Sequence, residues 1–208
     1  WRLEHGFVKN KYMENFDGLY VTSPTEPNRI MVKKAAETYH RIATDFPALK
    51  KTLLAIGFGA DNSCGFAPNG YMFLSLDGDI WKDEESLSSF FEKVKELGHT
   101  RNASDPMFIM AHELGHALDN TLALKRIGAG GRLTIEKMSA FSKAKKENAQ
   151  KARAAFRGDL SDEEMDERIA DELGERAIDS DEEMIAQAVA TWYYGEADHP
   201  IADAIMQM

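Results

Sequence analysis

Two histidines and a glutamate lie near the middle of the chain at a spacing suited to metal chemistry. His112 and His116 are four residues apart, and Glu113 follows the first of them. On a helix this spacing puts both imidazoles on one face, where they can bind a single zinc ion. Zinc lowers the pKa of a bound water towards about 7, and a nearby carboxylate can take its proton while the water attacks a carbonyl. The pattern predicts a hydrolytic zinc site with Glu113 as the general base.

The flanking sequence predicts that these residues lie on a buried helix. Ser104-Asp105-Pro106 offers an N-cap acceptor followed by proline at the first helical position. From Phe108 to Leu124 the helix would be apolar over most of its circumference, and Gly115 leaves room for a second element to pack closely beside the metal. The alternative is a pair of core histidines bonded to their neighbours. Burying these groups without metal or partners costs several kcal/mol, which favours the metal site.

The segment from Met110 to Asp119 resembles the active-site helix of the zincin metallopeptidases. The metzincin branch needs glycine and histidine further along, but Asp119 and Leu122 occupy those places. The resemblance therefore implies the gluzincin branch, in which a glutamate from a later helix completes the site. Glu183-Met184-Ile185-Ala186-Gln187-Ala188 is similar to the ligand helix of anthrax-lethal-factor-like peptidases, and such domains also occur in phage and toxin polyproteins. The resemblance implies Glu183 as the third ligand. Gln187, one turn further along the helix, would suit a hydrogen bond to a ligand side chain.

Glu183 has an alternative role that needs no metal. It stands at the third position of a capping box begun by Ser180, where a glutamate serves the helix N-terminus. Other carboxylates could also be the third ligand, namely Glu172, Glu175 and Glu182. The apolar run that follows Glu183 favours it, because such a helix would pack against the histidine helix.

Three further residues are candidates for a role at the site. Tyr194 is eleven residues after Glu183 on the same helical face and, by the resemblance, would stabilise the oxyanion; core packing is the alternative. Tyr71 is a comparable candidate at the start of a predicted strand, Tyr71 to Leu76, which is expected to pair with an extended substrate. Asp119 either orients a ligand or is an exposed helix acid. The remaining histidines lack ligand spacing: His5, His40, His99 and His199.

Two other functions compete with peptide hydrolysis. Cys64, the one cysteine, lies 48 residues before His112, and peptide deformylases combine the same histidine motif with an upstream cysteine thiolate. Alternatively, zinc only holds the helices together in an interaction module of a phage or toxin protein. Such structural sites have four protein ligands and no use for a base such as Glu113.

Hydrophobic periodicity predicts a mostly helical α+β fold with a small sheet over the active-site helix. Helices are expected over 31–45, 48–56, 84–97, 106–124, 134–156, 161–178 and 180–194. Strands are expected at 71–76 and at Ile80-Trp81, with turns at Asp17-Gly18 and Asn69-Gly70, while residues 1–30 give no confident element. We interpret 1–208 as one metallopeptidase domain with a helical insertion at about 132–178.

Composition limits the partners. The chain has 208 residues, 43% of them hydrophobic, which suffices for a buried core, and a net charge of −10. Excess acid disfavours general nucleic-acid binding, and no apolar run approaches the roughly 20 residues of a membrane span. We expect a protein or peptide substrate. The start at Trp1 and the lack of a recognisable signal peptide suggest a mature form or part of a larger polypeptide, phage-associated or secreted.

Overall fold

The computed structural model describes residues 12–59, 62–101, 103–196 and 198–207. His5 lies outside these ranges. The architecture is α+β, as the periodicity predicts. The strands are β1 (Tyr12–Phe16), β2 (Leu19–Ser23), β3 (Leu53–Gly59), β4 (Ser63–Phe66) and β5 (Met72–Asp77). The α-helices are α1 (Arg29–Asp45), α2 (Leu49–Thr52), α3 (Glu84–Glu96), α4 (Phe108–Arg126), α5 (Met138–Phe156), α6 (Asp162–Leu173), α7 (Asp181–Tyr194) and α8 (Pro200–Met206), and short 3-10 helices span Ile135–Lys137 and Glu175–Ile178.

The five strands form one mixed sheet in the order β1-β2-β3-β5-β4. β2, β3 and β5 run parallel, while β1 and β4 are antiparallel to their neighbours at the two edges. The predicted strand at 71–76 is therefore present as β5, but it has strands on both sides and cannot pair with a substrate. The sheet edge next to β5 belongs to β4, which was not among the strands predicted from the sequence.

The first hairpin shows why the N-terminal third was hard to interpret. β1 and β2 are joined by the predicted turn at Asp17-Gly18, where both residues have positive φ (48° and 94°). This conformation matches the twist of a two-residue hairpin and suits Asp-Gly. The strands on either side are short and mixed in polarity, so the turn was visible in the sequence while the strands were not.

The prediction of a helix over 48–56 is wrong. Only residues 49–52 are helical, and the chain then enters β3 at Leu53. β3 is the central strand, between β2 and β5. A parallel strand buried on both faces presents a continuous apolar run, which periodicity cannot distinguish from a buried helix. The predicted strand at Ile80-Trp81 is likewise absent, because those residues form a turn.

The helical prediction for the second half is largely confirmed. α5 begins with a 3-10 turn, and the predicted helix at 161–178 divides into α6 and a 3-10 helix at Gly174, whose φ is 101°. α8 is an additional helix. Within the described ranges, no helix combines the length and apolar character needed to cross a bilayer.

α4 lies at the centre of the molecule and links two hydrophobic cores. On one side it packs with the sheet and α1, in a core that includes Phe108, Leu114 and Leu118. On the other it packs against α7, which in turn shares a second core with α5, α6 and α8. The interface between α4 and α7 therefore joins the sheet half to the helical half. Both helices are buried around most of their circumference.

Candidate metal centre

The close approach of α4 and α7 depends on Gly115. A Cβ atom at this position would lie 2.6 Å from the Cα of Ala186 and 3.0 Å from its carbonyl oxygen. These are backbone atoms, so the helices could not stay at this distance with any larger residue. Gly115 thus serves the close packing predicted from the sequence, and it brings residues of the two helices within ligand distance.

His112, His116 and Glu183 converge at this interface. The Nε2 atom of His112 lies 3.2 Å from Oε2 of Glu183, and Nε2 of His116 lies 3.6 Å from Oε1. One ligand atom from each of the three residues falls within 4.8 Å of the others. The described part of the chain holds no other such group of histidine, cysteine or carboxylate side chains. The structure thus brings together the two histidines and the glutamate that the sequence singled out.

The donor set suits a metal ion, although its atoms are spaced more widely than around a bound one. Ligand atoms about 2.0–2.2 Å from a zinc ion at tetrahedral angles lie about 3.3–3.6 Å from one another. The contacts of 3.2 and 3.6 Å reach different oxygens of Glu183, and the three ligand atoms as a set lie within 4.8 Å of one another. Two imidazoles and a carboxylate are ligands that fit such an ion by their chemistry, and a small side-chain adjustment would close them around it.

Gln187 determines which nitrogen of His112 faces the cluster. The Gln187 amide Nε2 donates to the carbonyl oxygens of Leu173 (3.2 Å) and His99, which fixes its Oε1 as the atom 2.8 Å from His112 Nδ1. Because Oε1 can only accept, Nδ1 carries a hydrogen. Nε2 is then the nitrogen that faces the Glu183 carboxylate. Two electron-rich atoms at 3.2 Å repel unless a proton or a metal ion lies between them.

Glu183 performs only half of the capping role that its sequence position allows. Ser161 and Glu164 form a complete capping box at α6, with each side chain bonded to the other's backbone N–H. At α7 the Ser180 hydroxyl accepts from the Glu183 N–H at 3.2 Å, but no reciprocal bond from the Glu183 carboxylate is seen. That carboxylate is turned towards the two histidines instead. The contrast between two similar motifs indicates that the Glu183 side chain serves the cluster.

The protonation states in the metal-free protein also suit metal binding. Burial, assisted by the neighbouring His112, lowers the pKa of His116 to about 3, so its ring is neutral at pH 7. Burial alone would raise the pKa of Glu183, but its contacts with His112, His116 and Arg176 lower it below the usual range. Neutral imidazole and ionised carboxylate are the forms that bind metals.

The metal-free protein is expected to lose stability as the pH falls from 6.5 to 5 because of His116. Its folded pKa lies below the unfolded value of about 6.5, so the unfolded chain binds the extra proton in this window. One such proton contributes up to about 1.4 kcal/mol per pH unit to the free energy of unfolding. Urea unfolding in a chelator should therefore give a steeper pH dependence for the parent than for His116→Gln. Parallel profiles would contradict the lowered pKa.

Glu113 lies where two cavities meet beside the cluster. A cavity of about 170 Å³ has apolar walls from α3 and α4, including Phe90, Val94 and Phe108. A larger, more polar cavity of about 390 Å³ extends along β4 towards α5. Glu113 lines both, as do Asn62 and Arg176, and its own side chain is largely buried. A molecule that occupied both cavities would therefore lie next to the Glu113 carboxylate.

Arg176 is a site residue that sequence analysis missed. It lies in the 3-10 helix before α7, and its guanidinium binds Glu183 through two bonds, Nε to Oε2 at 2.8 Å and Nη2 to Oε1 at 3.1 Å. Nothing in the sequence distinguishes this arginine from others, because the contact spans seven residues across a helix boundary. Only the turn at the start of α7 brings it to the cluster.

The rival third ligands are engaged elsewhere. Glu182 pairs with Lys145 at 3.0 Å, Glu175 pairs with Arg101 at 2.9 Å, and Glu172 accepts the backbone N–H groups of Ile201 and Ala202 at the start of α8. None of them belongs to the converging group. Among the four glutamates considered, Glu183 alone reaches the histidines.

Three other sequence candidates lie away from the cluster. The Tyr194 hydroxyl is bonded to Thr38 on α1 at 3.1 Å, and eleven residues of helix separate it from Glu183 by about 16 Å. Tyr71 stacks with Arg132 and lines neither cavity. Asp119 is buried, and it binds Lys145 at 3.2 Å and Asn148 at 2.9 Å on α5 rather than a histidine. The oxyanion role expected of Tyr194 therefore has no geometric support.

Cys64 lies near the cluster but does not join it. Its Sγ accepts from the Asn120 amide at 3.5 Å, one turn beyond His116, and it lines the larger cavity. Burial raises the pKa of the thiol to about 12, so it is protonated in the metal-free protein. The thiol is outside the converging group of ligand atoms. This arrangement does not favour the cysteine-ligand alternative.

Comparison with known proteins does not identify the function of this site. No family model, curated protein or solved structure matches the chain. Any functional conclusion therefore rests on the residues of the cluster and the two cavities, through their distances, burial and charge.

Proposed function

We propose that this chain is a zinc-dependent metallopeptidase in which His112, His116 and Glu183 hold the metal and Glu113 is the general base. The observation that carries the proposal is the convergence of these three ligands from two helices, with Glu113 at the junction of the adjoining cavities. The resemblance of α4 and α7 to the ligand helices of gluzincins agrees with this assignment. Two nitrogen ligands and one carboxylate form a typical catalytic zinc site.

The proposed roles divide the chemistry among the site residues. A zinc ion held by the three ligands would supply an acidified water and polarise the substrate carbonyl. Glu113 accepts a proton as the water oxygen attacks the carbonyl carbon, and then delivers it to the nitrogen that leaves when the C–N bond breaks. Gln187 keeps the His112 ring in the tautomer that directs Nε2 at the centre.

The edge strand β4 offers a way to bind an extended peptide. None of the described strands pairs with its outer edge, and Ser63, Cys64 and Phe66 line the larger cavity next to Glu113 and His116. An extended chain can add to such an edge through backbone hydrogen bonds, while its side chains enter pockets on alternate sides. This replaces the earlier expectation that residues 71–76 would bind substrate. The arrangement favours peptides over compact small molecules.

Catalysis is favoured over a purely structural zinc site. Structural zinc sites are usually closed by four protein ligands, whereas three converge here among the described residues. The centre also adjoins two cavities rather than solid core. Both features leave room for water and substrate.

The test is cleavage of a random peptide library by the zinc-supplemented chain, with products identified by mass spectrometry. New termini should appear, disappear when a zinc chelator is added, and return with excess zinc. The same treatment of Glu113→Gln serves as the background. Products that persist in the chelator would contradict a metal-dependent mechanism.

Replacing Gln187 with leucine should weaken zinc binding about 10–100-fold, as is typical for partners that orient a histidine ligand. Leucine removes the acceptor for His112 Nδ1 but fills similar space in the buried interface. Competition titration against a chelating dye measures the zinc affinity of Gln187→Leu and of the parent. Equal zinc affinity in Gln187→Leu and the parent would show that Gln187 does not orient His112.

A further inference from the structure

Arg176 has one nitrogen that its bond to Glu183 leaves available. The two contacts with the carboxylate use Nε and Nη2, and Nη1 makes no hydrogen bond to the described residues. The segment that carries Arg176 is held in place by its backbone, because the Glu175 N–H donates to the Gly98 carbonyl at 2.8 Å, whereas the half-exposed pair between Glu175 and Arg101 adds little. The guanidinium is therefore fixed at one edge, with a charged donor free on the other.

Arg176 lies where the peptide bond to be cleaved is expected, beside both cavities. Asn62, Glu113 and Arg176 are the three residues common to the linings of both cavities. If each cavity holds one side of the cleaved bond, that bond lies beside these three residues. The Arg176 side chain is 42% exposed, so an incoming substrate can reach it.

Two of the other candidate donors are committed elsewhere. Lys145 lines the larger cavity, but its ammonium lies between Asp119 and Glu182, at 3.2 and 3.0 Å. The Tyr194 hydroxyl is bonded to Thr38, at the far end of α7 from Glu183. Arg176 is thus the charged side chain, among the described residues that line both cavities, with donor capacity left for a substrate.

We propose that Arg176 is the oxyanion-binding catalytic residue of the peptidase; this role rests on the proposed function. As the water oxygen bonds to the carbonyl carbon, the C=O π pair moves onto the carbonyl oxygen and the water proton passes to Glu113. Arg176 Nη1–H donates to that oxygen. When the pair returns to re-form C=O, the C–N bond breaks and the leaving nitrogen takes the proton from Glu113.

The physical basis is preorganisation of the donor. A donor aimed in advance at a developing oxyanion contributes about 10²–10³-fold to kcat. Glu183 fixes the guanidinium plane through two parallel bonds, a geometry that arginine allows and lysine does not. The Glu183 carboxylate would thus bind the metal and also orient the Arg176 guanidinium.

The test compares Arg176→Gln and Arg176→Lys with a matched control, Arg101→Gln. Arg101 binds the neighbouring Glu175 but lines neither cavity. Three quantities are measured for each zinc-loaded chain: bound zinc, kcat and KM on a peptide taken from the library, and affinity for a phosphinic analogue of that peptide. The phosphinic group carries a tetrahedral anion, whereas the peptide ground state does not.

Arg176→Gln is expected to keep its zinc, to lose about 10²–10³-fold in kcat with little change in KM, and to bind the phosphinic analogue weaker by a similar factor. Arg176→Lys should recover part of both losses, and Arg101→Gln should match the parent. Loss of zinc from Arg176→Gln would instead mean that Arg176 acts through Glu183 and would overturn the assignment, as would parental kcat and analogue affinity. A parent that binds neither zinc nor analogue would overturn the proposed function itself.

Discussion

Glu113→Gln is expected to bind zinc like the parent, keep its thermal midpoint, and lose about 10²–10⁴-fold in kcat, the usual contribution of a general base. Glutamine matches glutamate in size and can stay in the same buried position on α4, but it cannot accept a proton from water. Glu113 is 8% exposed, and among the described carboxylates it is the one that borders both cavities.

The matched control is Glu147→Gln. Glu147 is a glutamate on α5 that pairs with Arg126 and lines neither cavity beside the cluster. It should retain the parental rate. Zinc content, circular dichroism and kcat measured on the same preparations separate chemistry from folding. Cleavage by Glu113→Gln at the parental rate would remove Glu113 from the mechanism while leaving the metal site intact.

Gly115→Ala is expected to have the largest effect on the architecture of the site. Its Cβ would lie 2.6 Å from the Ala186 Cα, so α4 and α7 must move apart. Alanine gains about 1 kcal/mol of helix propensity over glycine, whereas overpacking a core costs about 1–3 kcal/mol. Because the clash is between backbones, we expect the upper end of that cost and a net loss of stability. The separated helices should also bind zinc more weakly.

Gly65→Ala is the control for the glycine substitution. A Cβ at Gly65 would make only an ordinary contact, 3.9 Å from the Phe73 ring. Gly65 is not among the residues that line the larger cavity. Denaturant unfolding and zinc titration of both variants should show a loss only in Gly115→Ala. A Gly115→Ala protein as stable as the control would contradict the close helix packing.

The sequence predicted which side chains of α4 and α7 converge better than it predicted the sheet. His112 and His116 could be placed because a four-residue spacing on a buried helix determines their relative position regardless of the rest of the fold. Glu183 required a resemblance, since the contact between α4 and α7 spans 67 residues from His116. β3 was misinterpreted because a buried central strand and a buried helix have the same apolar composition.

Residues whose roles depend on contacts between elements were missed or misplaced. Arg176 reaches Glu183 only because a 3-10 helix turns into α7. Tyr194 has the right helical phase relative to Glu183, but α7 is long enough to carry it to α1 instead. Asp119 was expected to orient a ligand or face solvent, yet α5 covers it and Lys145 neutralises it. Helical periodicity gives the direction of a side chain, not what another element brings opposite it.

The central claim, a zinc site built by His112, His116 and Glu183, is tested most directly by the zinc content of dialysed protein. The parent, Glu183→Ala and Glu182→Ala should be compared by mass spectrometry of bound metal. Glu182 is the adjacent glutamate, which pairs with Lys145 instead of the histidines. We predict about one zinc ion per molecule in the parent and in Glu182→Ala, and marked loss in Glu183→Ala. A parent that holds no metal even after zinc is supplied, or a Glu183→Ala variant that holds as much as the parent, would contradict the account.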